Sequence, residues 1–360
     1  MFAERNYGCR VLEYEIHGRQ AMSMENKSLR VGILPGWGCQ IYELLDKRTD
    51  TDFMMRERRG LARLNNYTPS KEGPQGAFWD YMLGGWFEMF PNAGKSCEKG
   101  NIVYGQHGEV AYQPWDVEII ADDVARVALR FTVETMRTDF RLQRTMELRG
   151  DEPVLYVKEE LTNQSPVPQE FIWGHHFTMG EAFLNKNCVI DAPSCIVADR
   201  NEVDLPASQL QHGSRGTLRA MPGKHGGFVD VSRVLERDSH INEMLYLCDM
   251  PEGWAAVTDT DKGVGVGLAW DRDIFPNAWL WKEFCAGKGF PLYGRCYAMS
   301  LEPCVTNIPT LKAASEAGQS RVLGGGASLK TWLTVAVHHE HSRVAGVSRN
   351  GEMAFAKEDT

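Results

Sequence analysis

Two adjacent histidines, His175 and His176, lie in the stretch WGHHFTMG (residues 173–180), at the end of an extended apolar run. Histidine is the side chain best suited to exchange protons near neutral pH. Neighbouring side chains of an extended segment point to opposite faces, which argues against a metal site built from both rings and a carboxylate. The pair is therefore a candidate for acid/base chemistry, and the alternative is that both are solvated loop residues or hydrogen-bonded core residues.

A single glutamate, Glu302, lies in the apolar stretch YAMSLEPC, just before Pro303. Burying a carboxylate is costly unless it is paired or used, so Glu302 indicates either a functional group or a structural ion pair. A third histidine, His107, stands beside Gly108 in a loop. A carboxylate and an imidazole together can move one proton onto and another off a hemiacetal, and this chemistry needs no nucleophile.

Large aromatic residues accompany these groups. Trp86 and Glu88 lie in the glycine-bracketed segment GGWFEMFPNAG, and Trp279 and Trp281 alternate in a strand-like run, which places them on one face. Aromatic faces stack on the C–H faces of sugars, so these residues could form a wall for a ring-shaped ligand. The alternative is a hydrophobic plug at the end of a sheet.

The elements that must position these residues are strands. Period-two alternation bounded by Gly and Pro recurs over residues 10–55, 116–163 and 243–338. Clean alternation over residues 116–163 predicts a large antiparallel sandwich with one polar face, and the Arg and Glu residues there are expected on that solvated face. Residues 183–240 predict long loops and short strands. We predict one domain over residues 1–342 and a polar C-terminal tail over 343–360.

Composition limits the class of protein. A formal charge of -9 and a pI near 5.6 argue against a nucleic-acid partner or an anionic-membrane surface. No window approaches the roughly 18 apolar residues of a membrane span, and the N-terminus lacks the apolar run of a signal peptide. The 9 cysteines are odd in number and never spaced as CxxC, which favours reduced thiols and a cytoplasmic location.

In order along the chain, these motifs resemble those of the aldose 1-epimerase (galactose mutarotase-like) superfamily over nearly the whole length. The matching stretches are Leu29 to Gly38, Phe90-Pro91-Asn92, His107-Gly108, residues 173–180, Leu301-Glu302-Pro303, and Gly324 to Val337. The resemblance implies an all-β fold, a β-supersandwich of large antiparallel sheets with few short helices. It also implies an open cleft on one sheet and an aldose 1-epimerase that interconverts α and β anomers of a small-molecule sugar. No cofactor and no metal are expected, and the protein is expected to act as a monomer or homodimer.

By the same resemblance, Glu302 is the general base that takes the proton from the anomeric hydroxyl. His176 is the general acid that protonates the ring oxygen, and His107 hydrogen-bonds the ring or a neighbouring hydroxyl. Ring opening, rotation about C1–C2 and closure on the other face exchange the anomers. This cycle requires an ionised Glu302 and a protonated histidine at the same time.

The sequence departs from the family at the groups that hold the substrate. No Arg accompanies the Pro91-Asn92 pair, and the usual Asp has no clear counterpart, with Asn242 or Glu243 nearest. The sugar is therefore not expected to be simply galactose. The candidate substrate-binding residues are Asn92, His175, Glu88, Trp86, Trp279, Trp281 and Glu243.

Two other functions stay open at this point. A non-catalytic carbohydrate-binding protein of the same fold would need no pairing of Glu302 with His176. A lyase- or glycosidase-related enzyme would, for hydrolysis, need two carboxylates flanking the scissile bond, and the sequence offers one strong candidate.

Overall fold

The computed structural model describes residues 5–61, 76–81, 83–199 and 205–356. Strict alternation of buried and half-buried residues, as in Phe140–Arg149, builds most of this chain into antiparallel strands. The prediction of an all-β fold with large antiparallel sheets is confirmed. No helix in this described part of the chain has the length and apolar character of a membrane span.

The strands of the first part of the chain are β1 (Arg10–Ile16), β2 (Arg19–Glu25), β3 (Leu29–Leu34), β4 (Gln40–Asp46), β5 (Thr51–Asp52), β6 (Trp86–Met89), β7 (Cys97–Lys99), β8 (Ile102–Tyr104), β9 (Asp116–Asp122), β10 (Arg126–Glu134), β11 (Phe140–Arg149), β12 (Val154–Asn163) and β13 (Gln169–Phe171). The later strands are β14 (Gly174–Gly180), β15 (Cys188–Asp191), β16 (Ile196–Asp199), β17 (Arg215–Gly216), β18 (Met221–Pro222), β19 (Phe228–Val229), β20 (Asn242–Cys248), β21 (Trp254–Asp259), β22 (Val264–Trp270), β23 (Asn277–Phe284), β24 (Tyr297–Cys304), β25 (Arg321–Leu323), β26 (Ser328–His338), β27 (Val344–Val347) and β28 (Met353–Phe355). The helices are α1 (Gly76–Tyr81), α2 (Leu311–Glu316) and the 3-10 turn Arg237–Ser239.

Contacts divide the chain into two compact units. The first unit contains the described residues up to His176 together with Ile308–Leu333, and the second contains Phe177–Asn307 and the described residues from Thr334 onward. The last strand pair, β27 and β28, lies within residues 343–360, for which the sequence predicts a polar tail. Two residues of this pair, Val344 and Val347, are buried. Residues 357–360 of that stretch lie outside the described residues.

The first unit contains two antiparallel sheets that carry its candidate residues. One runs in the order β1-β2-β3-β4-β6, with β5 beside β4, and the other runs in the order β12-β11-β10-β9. Inward-facing side chains of the second sheet, such as Phe140, Leu142 and Met146, have no exposed surface. This packing places β6 and β11 on the two sides of one apolar core.

The second unit has a sheet of order β24-β23-β20-β16-β17 and a smaller group, β15-β21-β22. The described residues of the range 183–240 form short strands joined by loops, as the sequence predicts. The pairing β20-β23-β24 matters for function because Glu302 and the two candidate tryptophans lie on these strands.

Candidate active site

Two histidines predicted to take part in chemistry come together in the first unit. The His176 ring stacks on Phe87, with ring centroids 4.6 Å apart and planes at 16°. The His107 ring meets His176 edge-on at a centroid distance of 5.2 Å, and Phe78 packs edge-on against His107 at 4.5 Å. These four residues, His107, His176, Phe78 and Phe87, form what we call the histidine cluster.

Backbone conformation fixes the orientation of His107. Its φ of 60° is left-handed, and Gly108 follows with a φ of 83°. The His107 Nδ1 makes a short hydrogen bond with the carbonyl oxygen of Ala93, so Nδ1 carries the proton and donates it. The other ring nitrogen, Nε2, is then the basic one, and it lies 3.3 Å from the side-chain nitrogen of Gln106.

Burial holds both histidines neutral at neutral pH. It lowers the pKa of His107 to about 4, against a smaller raising effect of the Ala93 carbonyl. It lowers the pKa of His176 well below its usual value, and the nearby His107 lowers it further. This differs from the sequence-based expectation of a protonated histidine, because desolvation disfavours the charged imidazolium.

The pKa of His107 predicts a pH-dependent stability. The unfolded chain takes up this proton near pH 6.5 and the folded protein only near pH 4, so the free energy of unfolding decreases as the pH falls between these values. The contribution is on the order of 3 kcal/mol. Urea unfolding at pH 8 and pH 4 should show a smaller loss of unfolding free energy at acid pH in His107→Asn, because asparagine takes up no proton. Asparagine is chosen because it tolerates the left-handed φ. An equal acid loss in both proteins would contradict this assignment.

The opposite faces of the same two strands carry a buried charge network. Trp86 and Glu88 flank Phe87 on β6, and His175 precedes His176 on β14, so these side chains point away from the histidine cluster. All three lack exposed surface. Their partners are Arg144 on β11 and Glu159 on β12, which are also fully buried. We call Glu88, Arg144, Glu159 and His175 the charge network.

Arg144 lies at the centre of the charge network. Its Nε donates to Glu159 Oε1 over 3.1 Å, its Nη2 makes an ion pair with Glu88 Oε1, and its Nη1 donates to the Cys39 carbonyl over 3.4 Å. The Trp173 indole N–H donates to Glu88 Oε2 over 2.6 Å. This arrangement corrects the expectation of a solvated face for Arg144 and Glu159, which point into the core. Other charged residues of these strands, such as Glu118 and Arg126, do lie at the surface.

His175 completes the charge network as a neutral ring. Its Nδ1 accepts from the Trp86 indole N–H over 3.4 Å, which requires an unprotonated Nδ1 because indole only donates. Its Nε2 lies 3.2 Å from Glu159 Oε2. Burial lowers the pKa of His175 to about 3, and burial raises the pKa of Glu88 to about 8 against the lowering effect of Arg144. One cation thus faces two carboxylates whose charging is opposed by desolvation.

The charge network is the one cluster in the described residues that offers three close metal-ligand atoms. Glu88, Glu159 and His175 place one such atom each within 4.8 Å of one another. The guanidinium of Arg144 already bonds both carboxylates, so a cation would have to displace a buried positive charge. This donor set fits an ion-pair network and does not fit a metal.

Asn92 has its side chain engaged by the protein backbone. Its Nδ2 donates to the carbonyls of Lys95 (2.8 Å) and Gly105 (2.9 Å), and its Oδ1 accepts from the Leu311 N–H over 2.8 Å. These bonds tie the loop that precedes His107 to α2. The structure therefore places Asn92 behind the histidine cluster as a loop anchor, and a direct bond to substrate stays a prediction. For Trp86, Glu88 and His175, which lie in the charge network or against it, contact with substrate likewise stays a prediction.

The second unit positions Glu302. Strand register pairs Glu302 with Trp279, and Trp279 with Tyr246, so the three side chains share one face. Trp281 pairs with Ser300 in the next row of the same face, so the prediction that the two tryptophans share a face is confirmed. The Ser300 hydroxyl makes a short hydrogen bond to Glu302 Oε1, which orients a carboxylate that is only 2% exposed. We call this set of residues the glutamate face.

Glu243 lies on the other side of these strands. Glu243 lies three residues before Tyr246 on the same strand and pairs with Lys282, so it points away from the glutamate face. Lys282 Nζ lies 3.8 Å from Glu243 and donates to the Val231 carbonyl over 2.5 Å. Of the two sequence candidates, Asn242 shares the face of Glu302, where its amide hydrogen-bonds Glu283. The geometry thus favours Asn242 over Glu243 for contact with a ligand of Glu302.

Sequence reasoning did not single out Ser300, Tyr246, Arg144 or Glu159. A signal for Arg144 existed, because it is in phase with the apolar residues Leu142 and Met146 of β11. Ser300 is likewise in phase with Glu302. Tyr246 could be found only from the register between strands, which the sequence does not give.

The family to which the chain belongs was identified by comparison with known proteins. A family model described as "Domain of unknown function (DUF4432)" matches residues 17–337. The chain belongs to this family. No curated protein matches the sequence significantly.

Solved structures of similar fold are numerous. A candidate aldose 1-epimerase from Klebsiella pneumoniae matches with a TM-score of 0.69 and 14% identity, over 93% of this chain and 88% of the other. A galactose mutarotase-like protein from Clostridium acetobutylicum matches with a TM-score of 0.62 and 14% identity, over 92% and 99%. A candidate aldose 1-epimerase from Escherichia coli K12 matches with a TM-score of 0.59 and 14% identity, over 91% and 99%. The resemblance to the galactose mutarotase-like superfamily is confirmed at the level of the fold.

Proposed function

We propose that this protein is an aldose 1-epimerase that exchanges the α and β anomers of a sugar. The observation that carries the proposal is a buried carboxylate, Glu302, held by Ser300 on a face with Trp279 and Tyr246, in the same fold as the edge-on pair His107–His176. Aromatic faces suit the C–H faces of a sugar, and a carboxylate with an imidazole suits proton transfer at a hemiacetal. Structures that share the fold and carry aldose 1-epimerase descriptions support the same class.

In this proposal Glu302 removes the proton of the anomeric hydroxyl while His176 donates one to the ring oxygen. The C1–O5 bond breaks, leaving an open-chain aldehyde, a protonated Glu302 and a neutral His176. Rotation about C1–C2 presents the other carbonyl face. Closure returns one proton from Glu302 to the new anomeric hydroxyl and one from the ring oxygen to His176, so the catalyst is regenerated without a cofactor.

Proton donation requires an imidazolium, whereas burial lowers the pKa of His176 well below its usual value. We therefore expect sugar binding at pH 7.5 to be accompanied by uptake of about one proton. Titration calorimetry in two buffers of different ionisation enthalpy measures that uptake. Binding with no buffer dependence would contradict His176 as the acid.

A glycosidase is the first alternative, and the spacing of carboxylates on the glutamate face argues against it. Glu283 shares that face, but it pairs with Ala298, four residues from Glu302, or about 13 Å along the strand. Hydrolysis with inversion or retention needs carboxylates within about 10 Å. The Glu283 carboxylate is also bound by the backbone N–H groups of Ala286 and Gly287.

A non-catalytic sugar-binding protein is the second alternative. The observation that favours it is the burial of both histidines, which keeps them neutral. It differs from the epimerase in one measurable respect, because a binding protein would hold a sugar without changing the rate of anomer exchange.

Anomer exchange measured by NMR over freshly dissolved aldoses tests the proposal. The panel should include hexoses, pentoses and 6-deoxy sugars, because the sequence departs from galactose mutarotases at the substrate-holding groups. Accelerated equilibration of at least one sugar over the buffer rate is the expected result. Sugar binding without acceleration would move the binding protein ahead, and neither binding nor acceleration across the panel would overturn both.

We also propose that the protein acts in a reducing compartment such as the cytoplasm, as a monomer or homodimer. Within the described chain the 9 cysteines form no disulfide. Burial raises the pKa of several of these thiols, including Cys39 and Cys304, which favours the inert protonated form.

A further inference from the structure

The charge network costs energy that an apolar core would not require. Arg144, Glu88, Glu159 and His175 all lie beneath the surface with at most 1% of their side chains exposed. Taking such charges out of water is expensive, and replacing a buried ion-pair cluster with apolar residues is often neutral or stabilising. Stability alone is therefore a weak reason for this arrangement.

The charge network shares its strands with two members of the histidine cluster, Phe87 and His176. Glu88 is the neighbour of Phe87 on β6, and His175 is the neighbour of His176 on β14. Arg144 holds Glu88 directly and reaches His175 through Glu159, whose second oxygen lies 3.2 Å from the His175 ring. Phe87 and His176, whose rings stack at 4.6 Å on one face, are thus linked through the charge network on the opposite face.

The aromatic neighbours strengthen this link. The Arg144 guanidinium lies 5.8 Å from the Trp86 ring centroid, and Trp86 donates to His175 from the same strand that carries Phe87. The third donor group of Arg144 bonds the carbonyl of Cys39, just before β4, which pairs with β6 at Ile41 and Trp86. The Arg144 guanidinium therefore bonds Glu88 on β6, Glu159 on β12 and the backbone just before β4. Its planar set of N–H donors allows these three contacts at once.

We propose that Arg144 is a positioning residue for His176, setting the separation and the burial of the His176–Phe87 stack through Glu88, Glu159 and His175. This inference rests on the proposed function, in which His176 is the proton donor. It assigns no contact between Arg144 and the sugar.

The test compares Arg144→Met with Arg144→Lys in protein labelled with ¹³C in its histidine rings, the His176 signal being assigned by its loss in His176→Asn. In the native protein we expect ring-to-ring nuclear Overhauser contacts between His176 and Phe87 and a His176 titration midpoint well below that of an exposed imidazole. Arg144→Met should lose the contacts and shift the midpoint upward by at least about one pH unit. Arg144→Lys, which keeps the charge but not the fork, should lie between them.

Arg149→Met is the matched control, because Arg149 lies on the same strand and pairs with Glu147 near the surface. It should leave the His176 signals unchanged. A folded Arg144→Met protein that melts at a lower temperature but keeps the native contacts and midpoint would overturn the proposal, since that is the result of a purely structural role. Should Arg144→Met fail to fold, Arg144→Lys and Glu88→Gln provide the same two readouts, and native values in both would also overturn it.

Kinetics separate this inference from the proposed function. With a sugar that the native protein turns over, Arg144→Lys should lower kcat about 10-fold while KM changes less than about 3-fold, because positioning of a proton donor acts on the transition state. An unchanged kcat would contradict the inference. If no sugar is turned over by the native protein, the proposed function fails, whereas the NMR measurements still decide whether Arg144 positions His176.

Discussion

Glu302→Gln is expected to slow enzymatic anomer exchange about 1,000-fold while the protein stays folded. The substitution keeps the size of the side chain and its bond to the Ser300 hydroxyl, but an amide does not accept the proton of the anomeric hydroxyl. Positioned acid/base groups contribute about 10²- to 10⁴-fold to rates, which sets this magnitude. The exchange rate of the best sugar in NMR, at saturating sugar, measures the effect.

Asp259→Asn is the matched control for this substitution. Asp259 is also a fully buried carboxylate of the second unit, at the end of β21, where it accepts from Asn185 over 2.7 Å. The same loss of a charge at an equally buried place should leave the exchange rate of the folded protein within about 3-fold of native, in the absence of any contact with the reaction. Native exchange rates in Glu302→Gln would remove Glu302 from the chemistry.

Gly108→Ala is expected to destabilise the protein by at least about 2 kcal/mol, because two penalties combine. The backbone has a φ of +83°, and an added Cβ would lie 2.0 Å from the Phe90 carbonyl oxygen and 2.3 Å from its carbon. Neither atom belongs to a flexible side chain, so the loop itself must shift. Since His107 is the preceding residue, the shift also displaces one ring of the histidine cluster. Urea unfolding and the His107 ring signals in NMR report the two effects.

Gly100→Ala isolates the conformational part of this loss. Gly100 has a φ of +63° between β7 and β8, but an added Cβ would meet no atom within 4 Å. Its cost should be about 1 kcal/mol, the ordinary penalty of a left-handed non-glycine residue. Equal losses in the two variants would show that the close approach of Gly108 to Phe90 does not matter.

The fold was predictable because its signals are local. Alternation in stretches such as 140–149 and 154–163 indicates a half-buried strand from the order of the residues alone. The shared face of Trp279 and Trp281 follows from their spacing. The position of Glu302 within a strand was predictable for the same reason. His175 and His176, expected in a loop, lie instead in the buried strand Gly174–Gly180. The proposed roles of Glu302 and His176 came from the resemblance, which the comparisons support at the level of the fold.

The partners of these residues were not predictable, since they depend on which strands become neighbours. Arg144 and Glu159 are 15 residues apart and look like ordinary charges of a sheet's polar face. They point into the core because their phase matches that of Leu142, Met146, Val157 and Leu161, a pattern that opposes the rule that charges face water. The choice between Asn242 and Glu243 likewise required the register of β20 on β23.

The protonation states also required the structure. A sequence assigns histidine a pKa near neutrality, whereas packing against Phe87 and Phe78 removes the water that would solvate a charged ring. Because the pKa values of His107 and His176 are low, the proposed proton donor His176 is neutral before the sugar binds and must gain a proton before it can donate one. The expected proton uptake on binding is the consequence of this difference.

A double-mutant cycle on the rate of anomer exchange measures whether Glu302 and His176 act together on one sugar, as the proposed mechanism requires. Glu302→Gln, His176→Asn and the double variant are compared with the native protein by NMR, with His338→Asn as a buried-histidine control from outside the proposed chemistry. Groups that act together give non-additive losses, so the double variant should lose about as much rate as Glu302→Gln alone. Losses that multiply, or a native rate in either single variant, would contradict joint action of Glu302 and His176.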